Sequence, residues 1–258
     1  MGPIAIEKVF NKIVPDLAAP VKGCGSIPLV SVRAVLFDAG NTLLEINYQE
    51  IANGLGQGGV EVSSGALRVA EQKARIRLDQ DLGSLKSTEA AETFRRYLGY
   101  ILENAGIAWD ERAEATWRAL RTYNPPVGVW HCQMPQASLV LARLRDEGLV
   151  VGCISNSNGS VAQALEQAGL ASHLDFILDS GIVGIEKPDP RIFQLALDTA
   201  GLGPEEVVFV GDLYSIDVVG AKRAGLKAIL LDPLGLWPHN DCLKCRDLVE
   251  AASLATRM

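Results

Sequence analysis

The chain has 258 residues, and its fractions of hydrophobic (48%) and charged (21%) residues are ordinary for a globular protein. With 24 Lys and Arg against 31 Asp and Glu its formal net charge is −7, so it has no general attraction for nucleic acid or for an anionic membrane. No stretch approaches the roughly 18 apolar residues of a membrane-spanning helix. We therefore expect neither nucleic acid nor a membrane as a partner, and we expect any anionic substrate to be held by local groups or by a metal ion.

Residues 1–30 are predicted to be an N-terminal extension without a clear secretory signal or myristoylation site. The chain has five cysteines, and an odd number without a secretory signal favours reduced thiols and a cytoplasmic location. The segment "HNDCLKC" invites a zinc interpretation through His239, Cys242 and Cys245. A closed structural site needs four ligands, and the sequence has no second cluster of this kind. We therefore expect a loop that leads into a short terminal strand.

Five short apolar runs predict buried strands, at residues 32–37, 149–154, 175–178, 207–210 and 228–231. Helical patterns separate the last four runs. One pattern ends at Gly169, and another begins at Asp189 with Pro190 in its first turn and ends at Gly201. Strands that alternate with helices predict an α/β fold with a doubly wound parallel sheet. The binding site of such a sheet lies beyond the carboxyl ends of its strands.

Residues 47–126 show helical patterns and no strand pattern. The stretches 66–82 and 89–106 repeat apolar residues with the helical period of 3.6 residues. We predict an inserted all-helical cap over 47–126, with "NPPVG" at 124–128 as the hinge through which the chain returns. The core then consists of residues 31–46 and 127–258.

The segment "GLGQGG", residues 54–59, fits the G-x-G-x-x-G pattern of dinucleotide-binding proteins. That pattern has its meaning only after a strand and at the start of a helix. Here it follows the helical pattern "YQEIAN" and precedes "VEVSS". We therefore interpret it as a loop that ends a helix and expect no dinucleotide cofactor.

Polar residues follow or precede the predicted strands in a distinctive order. Asp38 follows the first strand in "FDAGNTL", and Ser155 with Asn156 follows the second in "CISNSN". Lys187 lies in "EKPDP" before the fourth strand. The fourth strand leads into "VGDLYSID", which contains Asp212 and Asp217. Each of these segments alone is weak evidence, because a single Asp at a strand end is often a helix cap.

In this order the four segments resemble those of the haloacid dehalogenase-like (HAD) hydrolase superfamily, subfamily I, in which a helical C1 cap follows the first motif. The resemblance covers about residues 32–235. It implies that Asp38 is a nucleophile that forms an aspartyl-phosphate, and that Lys187 assists at the reacting phosphoryl group. It also implies that Ser155, Asn156 and Lys187 bind the phosphate of a small phosphorylated substrate.

The resemblance further implies a Mg²⁺ site formed by Asp38, Asp212, Asp217 and the backbone carbonyl of Gly40. The charges of these residues support that expectation independently. Carboxylates that share a site repel each other and shift each other's pKa. A hard divalent cation relieves the repulsion, and oxygen ligands beside a phosphate suit Mg²⁺.

Gly40 departs from the phosphatases of this superfamily, which usually have a second Asp at this position. The glycine retains the carbonyl but lacks the side chain that acts as general acid and base. General acid–base catalysis contributes about 10² to 10⁴-fold, so its loss corresponds to roughly 3 to 5 kcal/mol of barrier. Glu45 and His131 are candidate proton donors, although a solvated or capping role is the more common one for such residues.

We expect a Mg²⁺-dependent phosphatase, and other interpretations stay open. Dehalogenases of the superfamily need no metal, and the presence of both Asp212 and Asp217 argues against a dehalogenase. Phosphonate-cleaving members use a cap lysine, for which Lys73 and Lys86 are available, but surface lysines of helices are usually solvated. A non-catalytic scaffold is the third alternative, although unpaired clustered carboxylates are costly to keep. The sequence leaves the substrate and the oligomeric state undetermined.

Overall fold

The computed structural model describes residues 31–82, 87 and 90–258. The N-terminal extension 1–30, with Cys24, and Lys86 in the predicted cap lie outside these described residues.

Eight strands occur in the described part of the chain. They are β1 (Ala34–Phe37), β2 (Leu44–Ile46), β3 (Trp130–Gln133), β4 (Val150–Ser155), β5 (Phe176–Asp179), β6 (Val207–Gly211), β7 (Lys227–Leu231) and β8 (Leu243–Cys245). Six of them build the main sheet in the order β5-β4-β1-β6-β7-β8, and every neighbouring pair is parallel. The other two, β2 and β3, form an antiparallel pair.

The α-helices in the described residues divide between the predicted cap, residues 47–126, and the two faces of the sheet. They are α1 (Tyr48–Gln57), α2 (Ser64–Asp81), α3 (Ala91–Asn104), α4 (Glu111–Leu120), α5 (Ala137–Asp146), α6 (Val161–Gln167), α7 (Ser180–Val183), α8 (Pro190–Ala200), α9 (Val219–Arg223) and α10 (Leu248–Ala255). A π-helical turn, Tyr214–Val218, follows β6 and leads into α9.

The central strand β1 is buried on both of its faces. Val35 and Phe37 pack into an apolar layer with α5, α6 and α10, whereas Ala34 and Leu36 pack into a second layer with α8 and α9. Side chains of a strand alternate between its faces, and a strand covered on both sides is therefore apolar throughout. The predicted α/β fold with a doubly wound parallel sheet is confirmed.

Helices α1 to α4 fall within the predicted cap, residues 47–126, which we call the cap segment. Asn47, Ser63 and Asp110 precede α1, α2 and α4, and each side chain accepts a hydrogen bond from a backbone N–H of the first turn. The apolar faces of these helices meet in a buried cluster that includes Leu67 and Ile101. The segment therefore has its own small core, while the proposed limits of the domains stay a prediction.

The β2–β3 pair is the main element that the sequence analysis missed. β2 ends just before the cap segment and β3 begins just after it, so the pair holds together the points where the chain leaves and re-enters the core. Strands of three and four residues are too short to show a clear period of two. Near β2, the helix α1 continues through Gly54 and Gly56 and ends at Gln57, so only the last part of "GLGQGG" is a loop.

The segment "HNDCLKC", residues 239–245, forms a loop that leads into the short strand β8, as predicted. The ring of His239 stacks on Tyr214 with centroids 3.4 Å apart, and the Cys245 thiol lies buried near the carbonyl of Leu230. Within the described residues, these side chains do not form a group that could hold a metal ion. None of the helices in this part of the chain combines the length and the apolar character that a membrane span requires.

Candidate active site

The pairing register of the sheet brings the acidic segments that follow β1 and β6 to one edge. Phe37 of β1 lies opposite Cys153 of β4 and Val210 of β6, so the residues that follow all three strands meet beyond their carboxyl ends. The backbone N–H of Asp38 donates to the Val210 carbonyl at 2.9 Å, which continues the β1–β6 ladder by one residue. Asp38 is thereby fixed at the crevice where ligands bind in folds of this class.

Lys187 joins two of the carboxylates. Its Nζ lies 2.5 Å from Asp38 Oδ1 and 2.8 Å from Asp217 Oδ1, and only 2% of the residue is exposed. Burial alone would lower the pKa of this lysine, but the charges of Asp217 and Asp38 raise it above its ordinary value. Lys187 is therefore positively charged at all ordinary pH values.

The backbone of the turn after β6 holds Asp217 in place. Asp217 Oδ2 accepts hydrogen bonds from the backbone N–H groups of Asp212 and Leu213, each at 3.0 Å. A Cβ at Gly211 would lie 2.4 Å from the Asp217 carboxyl carbon, so this position has no room for a side chain. The strand end and the π-helical turn thus fit together because Gly211 lacks a side chain.

Asp38, Asp212 and Asp217 form one acidic cluster. One carboxylate oxygen from each lies within 4.8 Å of the others, and all three residues are buried. Burial raises the pKa of Asp38 to about 6, against the opposing effect of Lys187. Burial also raises the pKa of Asp212 well above its ordinary value, although Arg75 opposes the shift.

The donor set of this cluster fits a divalent cation. Ion pairs join the three carboxylates of the cluster and that of Glu71 to two buried cations, Lys187 and Arg75. When all six groups are ionised, four negative charges face two positive ones, and a divalent cation would compensate the remaining two negative charges. In addition, Asn41 Oδ1 is buried without a hydrogen-bond partner among the described residues. Hard oxygen ligands of this kind are those that Mg²⁺ prefers.

Ser155 and Asn156 lie at the end of β4, facing the same crevice. Asn156 Nδ2 donates to the Lys187 carbonyl at 2.9 Å, and the Lys187 N–H donates to Asn156 Oδ1 at 2.7 Å. These reciprocal bonds attach the lysine segment to the end of β4 and so favour a positioning role for the Asn156 side chain. Phosphate binding by Ser155, Asn156 and Lys187 stays a prediction.

A cavity of about 300 Å³ opens from the acidic cluster toward the cap segment. Asp38, Ser155, Lys187, Asp212 and Asp217 line its polar end. The other walls are largely apolar and come from both the core and the cap segment, including Leu78, Phe94, Tyr97, Trp117, Val129 and Trp130.

Aromatic residues of the cap segment contribute to its own core. Tyr97 and Trp117 belong to that core, and Tyr100 and Trp109 pack against it. Tyr97 and Trp117 also line the cavity, so they contribute to both.

Trp130 covers the position at which a second acid was expected. A Cβ built on Gly40 would lie 3.5 Å from the six-membered ring of Trp130, which is ordinary van der Waals contact.

Neither of the candidate proton donors, Glu45 and His131, lines the cavity. Glu45 forms an ion pair with Arg68 at 2.6 Å, and His131 Nδ1 lies 3.1 Å from the Gly128 carbonyl. Both side chains therefore have structural partners away from the reacting position.

Lys73, considered as a Schiff-base lysine, is exposed on α2 and does not line the cavity. The other candidate, Lys86, lies outside the described residues.

Three buried charged residues of α2, namely Glu71, Arg75 and Asp79, were not predicted from the sequence. Asp79 accepts hydrogen bonds from the backbone and hydroxyl of Ser215 at 2.9 and 2.7 Å, and Arg75 approaches Asp212. The only available signal was the spacing of four residues, which places them on one face of the helix. A charged helix face is usually solvated, so this signal favours the wrong conclusion.

Comparisons with known proteins agree with this geometry. A family model described as haloacid dehalogenase-like hydrolase matches residues 32–225. The phosphoserine phosphatase of Thermus thermophilus is 41% identical over 143 residues, which are 54% of this chain and 54% of that protein, so the match spans about half of its length. The (S)-2-haloacid dehalogenase 4A of Burkholderia cepacia is 28% identical over 234 residues, 86% of this chain and 93% of that protein.

A solved structure has the same fold. The crystal structure of a dehalogenase with an intermediate complex superposes with a TM-score of 0.61 at 24% identity, covering 88% of this chain and 98% of that one. The relatives therefore include both phosphatases and dehalogenases, and the choice between these chemistries depends on the site itself.

Proposed function

Because the chain belongs to the haloacid dehalogenase-like hydrolases, we propose that it is a Mg²⁺-dependent phosphatase of small phosphorylated metabolites. The observation that carries the proposal is the acidic cluster, in which Asp212 and Asp217 approach Asp38 within 4.8 Å and Lys187 joins two of the three. Phosphoserine phosphatase, a relative that is 41% identical over half of this chain, supports the same substrate class.

In the proposed reaction a carboxylate oxygen of Asp38 forms a bond to phosphorus while the bond from phosphorus to the leaving oxygen breaks. Water then attacks the phosphorus of the aspartyl-phosphate, which releases inorganic phosphate and restores Asp38. Bound Mg²⁺, held by Asp38, Asp212, Asp217 and the Gly40 carbonyl, would neutralise negative charge on the attacking carboxylate and the phosphoryl group. Lys187 adds a fixed positive charge, and the Ser155 hydroxyl can donate to a phosphoryl oxygen.

The cavity constrains the leaving group. Gly40 provides no proton donor, and the ring of Trp130 borders the space beside it. A leaving group that needs no proton, such as a carboxylate or a phenolate, is therefore favoured over an alkoxide. The apolar walls of the cavity also suit a substrate with an apolar part.

A panel of phosphomonoesters and acyl phosphates, assayed for phosphate release with and without Mg²⁺, tests this proposal. We expect turnover that requires Mg²⁺ and that Asp38→Asn abolishes. Asp241→Asn is the matched control, because this carboxylate makes an exposed ion pair with Lys222 away from the cavity lining. Turnover in EDTA, or turnover that survives Asp38→Asn, would contradict the mechanism, and inactivity across the panel would favour a scaffold.

Dehalogenation is the second candidate, because the dehalogenase relative matches 86% of this chain and Gly40 lacks the second acid. In that reaction Asp38 would attack carbon and expel halide, without a role for a metal. A reaction without a metal gives no reason for three buried carboxylates so close together, which is why we prefer the phosphatase. Halide release from a 2-halo acid in EDTA, absent in Asp38→Asn, would establish dehalogenation instead.

A further inference from the structure

Three charged residues form a buried stripe on α2 of the cap segment. Glu71, Arg75 and Asp79 follow each other at intervals of four residues and are 1%, 3% and 7% exposed. Charged side chains are almost never fully buried unless they are paired, because leaving water is costly for an ion. The stripe therefore needs partners, and two of its contacts lie in the turn that follows β6.

Glu71 and Arg75 pair with each other. Arg75 donates through Nε to Glu71 Oε1 at 2.8 Å and through Nη2 to Glu71 Oε2 at 2.6 Å, a bidentate arrangement. The Tyr97 hydroxyl, which contacts Asn41, also donates to Glu71. The guanidinium is thus held in one orientation by neighbours on the cap segment.

The remaining nitrogen of Arg75 is directed at the acidic cluster. Arg75 Nη1 lies 3.4 Å from Asp212 Oδ2, and it has no hydrogen-bond partner among the described residues. Asp212 Oδ2 also accepts a hydrogen bond from Asn41 Nδ2 at 3.2 Å. Arg75 does not line the cavity, so its free N–H faces the cluster and not the space for a substrate.

We propose that Arg75 is a positioning residue that sets the affinity of the acidic cluster for its divalent cation. With α2 docked as in this structure, the guanidinium orients Asp212 and offsets part of its negative charge. The same positive charge repels a cation bound by Asp212, so the cluster binds metal more weakly than three carboxylates alone would. Glu71 acts in the opposite direction, because it neutralises Arg75. The inference rests on the metal site of the proposed function, but not on the reaction that it assigns.

Metal binding by two variants of the Glu71–Arg75 pair and by two control variants tests this inference. The quantity to measure is the Kd for Mn²⁺, taken from the electron paramagnetic resonance signal of the free ion in the full chain without substrate. In Glu71→Gln/Arg75→Gln the cation nearest to Asp212 is gone, and we expect Kd to fall by about tenfold or more. In Glu71→Gln alone the charge of Arg75 is no longer neutralised, and we expect Kd to rise by several-fold, on the order of threefold to tenfold.

Arg77→Gln is the matched control, because Arg77 lies on the same helix in an ion pair with Glu103 that is about half exposed. We expect its Kd to equal that of the wild type. Asp212→Asn should remove the binding and so confirms that the counted ions occupy this cluster. Circular dichroism of each variant checks that it is folded.

The two opposite shifts distinguish this role from a structural one, which would weaken binding in both variants of the Glu71–Arg75 pair. An unchanged or raised Kd in the double variant would overturn the inference even if the wild type is an active phosphatase. Conversely, the predicted order of Kd values in a chain without phosphatase activity would support the inference and contradict the proposed function alone.

Discussion

Gly40 is the residue that most restricts the chemistry beside Asp38. It lines the same cavity as the acidic cluster but offers no proton donor, and Trp130 borders the space that a side chain would enter. The position is not closed, because a Cβ would make only ordinary contact with that ring at 3.5 Å. A carboxylate could therefore be introduced without displacing the backbone.

We predict that Gly40→Asp raises kcat/KM for alkyl phosphomonoesters by about tenfold or more, because it supplies a general acid and base. The gain should be small for p-nitrophenyl phosphate, whose leaving group needs no proton. Steady-state phosphate release with both substrates measures the difference. Gly40→Ala is the control, since it adds the Cβ without the acid. An equal gain in both variants, or for both substrates, would show that the effect is one of packing.

At the scale of elements, the site depends on how the end of β6 fits the π-helical turn. Gly211 ends the strand, and the carboxyl group of Asp217 occupies the space where a side chain of residue 211 would lie. That close approach allows Asp217 Oδ2 to accept the N–H groups of Asp212 and Leu213. The backbone geometry at one residue therefore fixes the carboxylate of Asp217 against the backbone that carries Asp212.

We predict that Gly211→Ala displaces Asp217, lowers the free energy of unfolding by about 1 to 3 kcal/mol and abolishes the stabilisation by Mg²⁺. Urea unfolding with and without Mg²⁺ measures both effects. Gly56→Ala is the matched control, because Gly56 lies in α1 with nothing within 4 Å of the added Cβ. That variant should gain about 0.5 to 1 kcal/mol and keep its response to Mg²⁺. A normal Mg²⁺ response in Gly211→Ala would refute this account of the turn.

At the scale of the whole molecule, the acidic cluster links folding to pH and to metal. Burial raises the pKa of Asp38 to about 6 and that of Asp212 well above its ordinary value. In the absence of metal, the folded protein therefore holds protons that the unfolded chain has already released. For each of these carboxyl groups, the free energy of unfolding then falls as the pH rises from the pKa in the unfolded chain to the raised pKa in the folded protein. Surface carboxylates with a lowered pKa, such as Asp189, contribute the opposite slope at lower pH.

We predict that in EDTA the free energy of unfolding of the wild type falls relative to that of Asp38→Asn as the pH rises from about 4 to about 7. Comparison with the variant cancels the surface carboxylates, which both chains share. Mg²⁺ favours the ionised cluster, so the stabilisation that it gives should grow over the same range. Urea unfolding at several pH values measures both quantities. Parallel curves for the two chains would contradict the raised pKa of Asp38.

The amino-acid sequence by itself determined the parallel α/β sheet and the identity of the residues at its carboxyl edge. Apolar runs such as 207–210 and the turn residues after them are local features, and strands of a parallel sheet place their ends on one side regardless of detail. Asp38, Lys187, Asp212 and Asp217 were found in this way, and the structure brings them together.

Only the tertiary structure decided how the cap segment meets that edge. The short strands β2 and β3 exist because they pair with each other across the ends of the cap segment, and neither shows a period of its own. The burial of Glu71 and Arg75 depends on the turn that α2 contacts, and the same spacing on a free helix would be solvated. The ring of Trp130 likewise lies beside Gly40 although the two residues are 90 positions apart in the chain, so no local pattern encodes this contact.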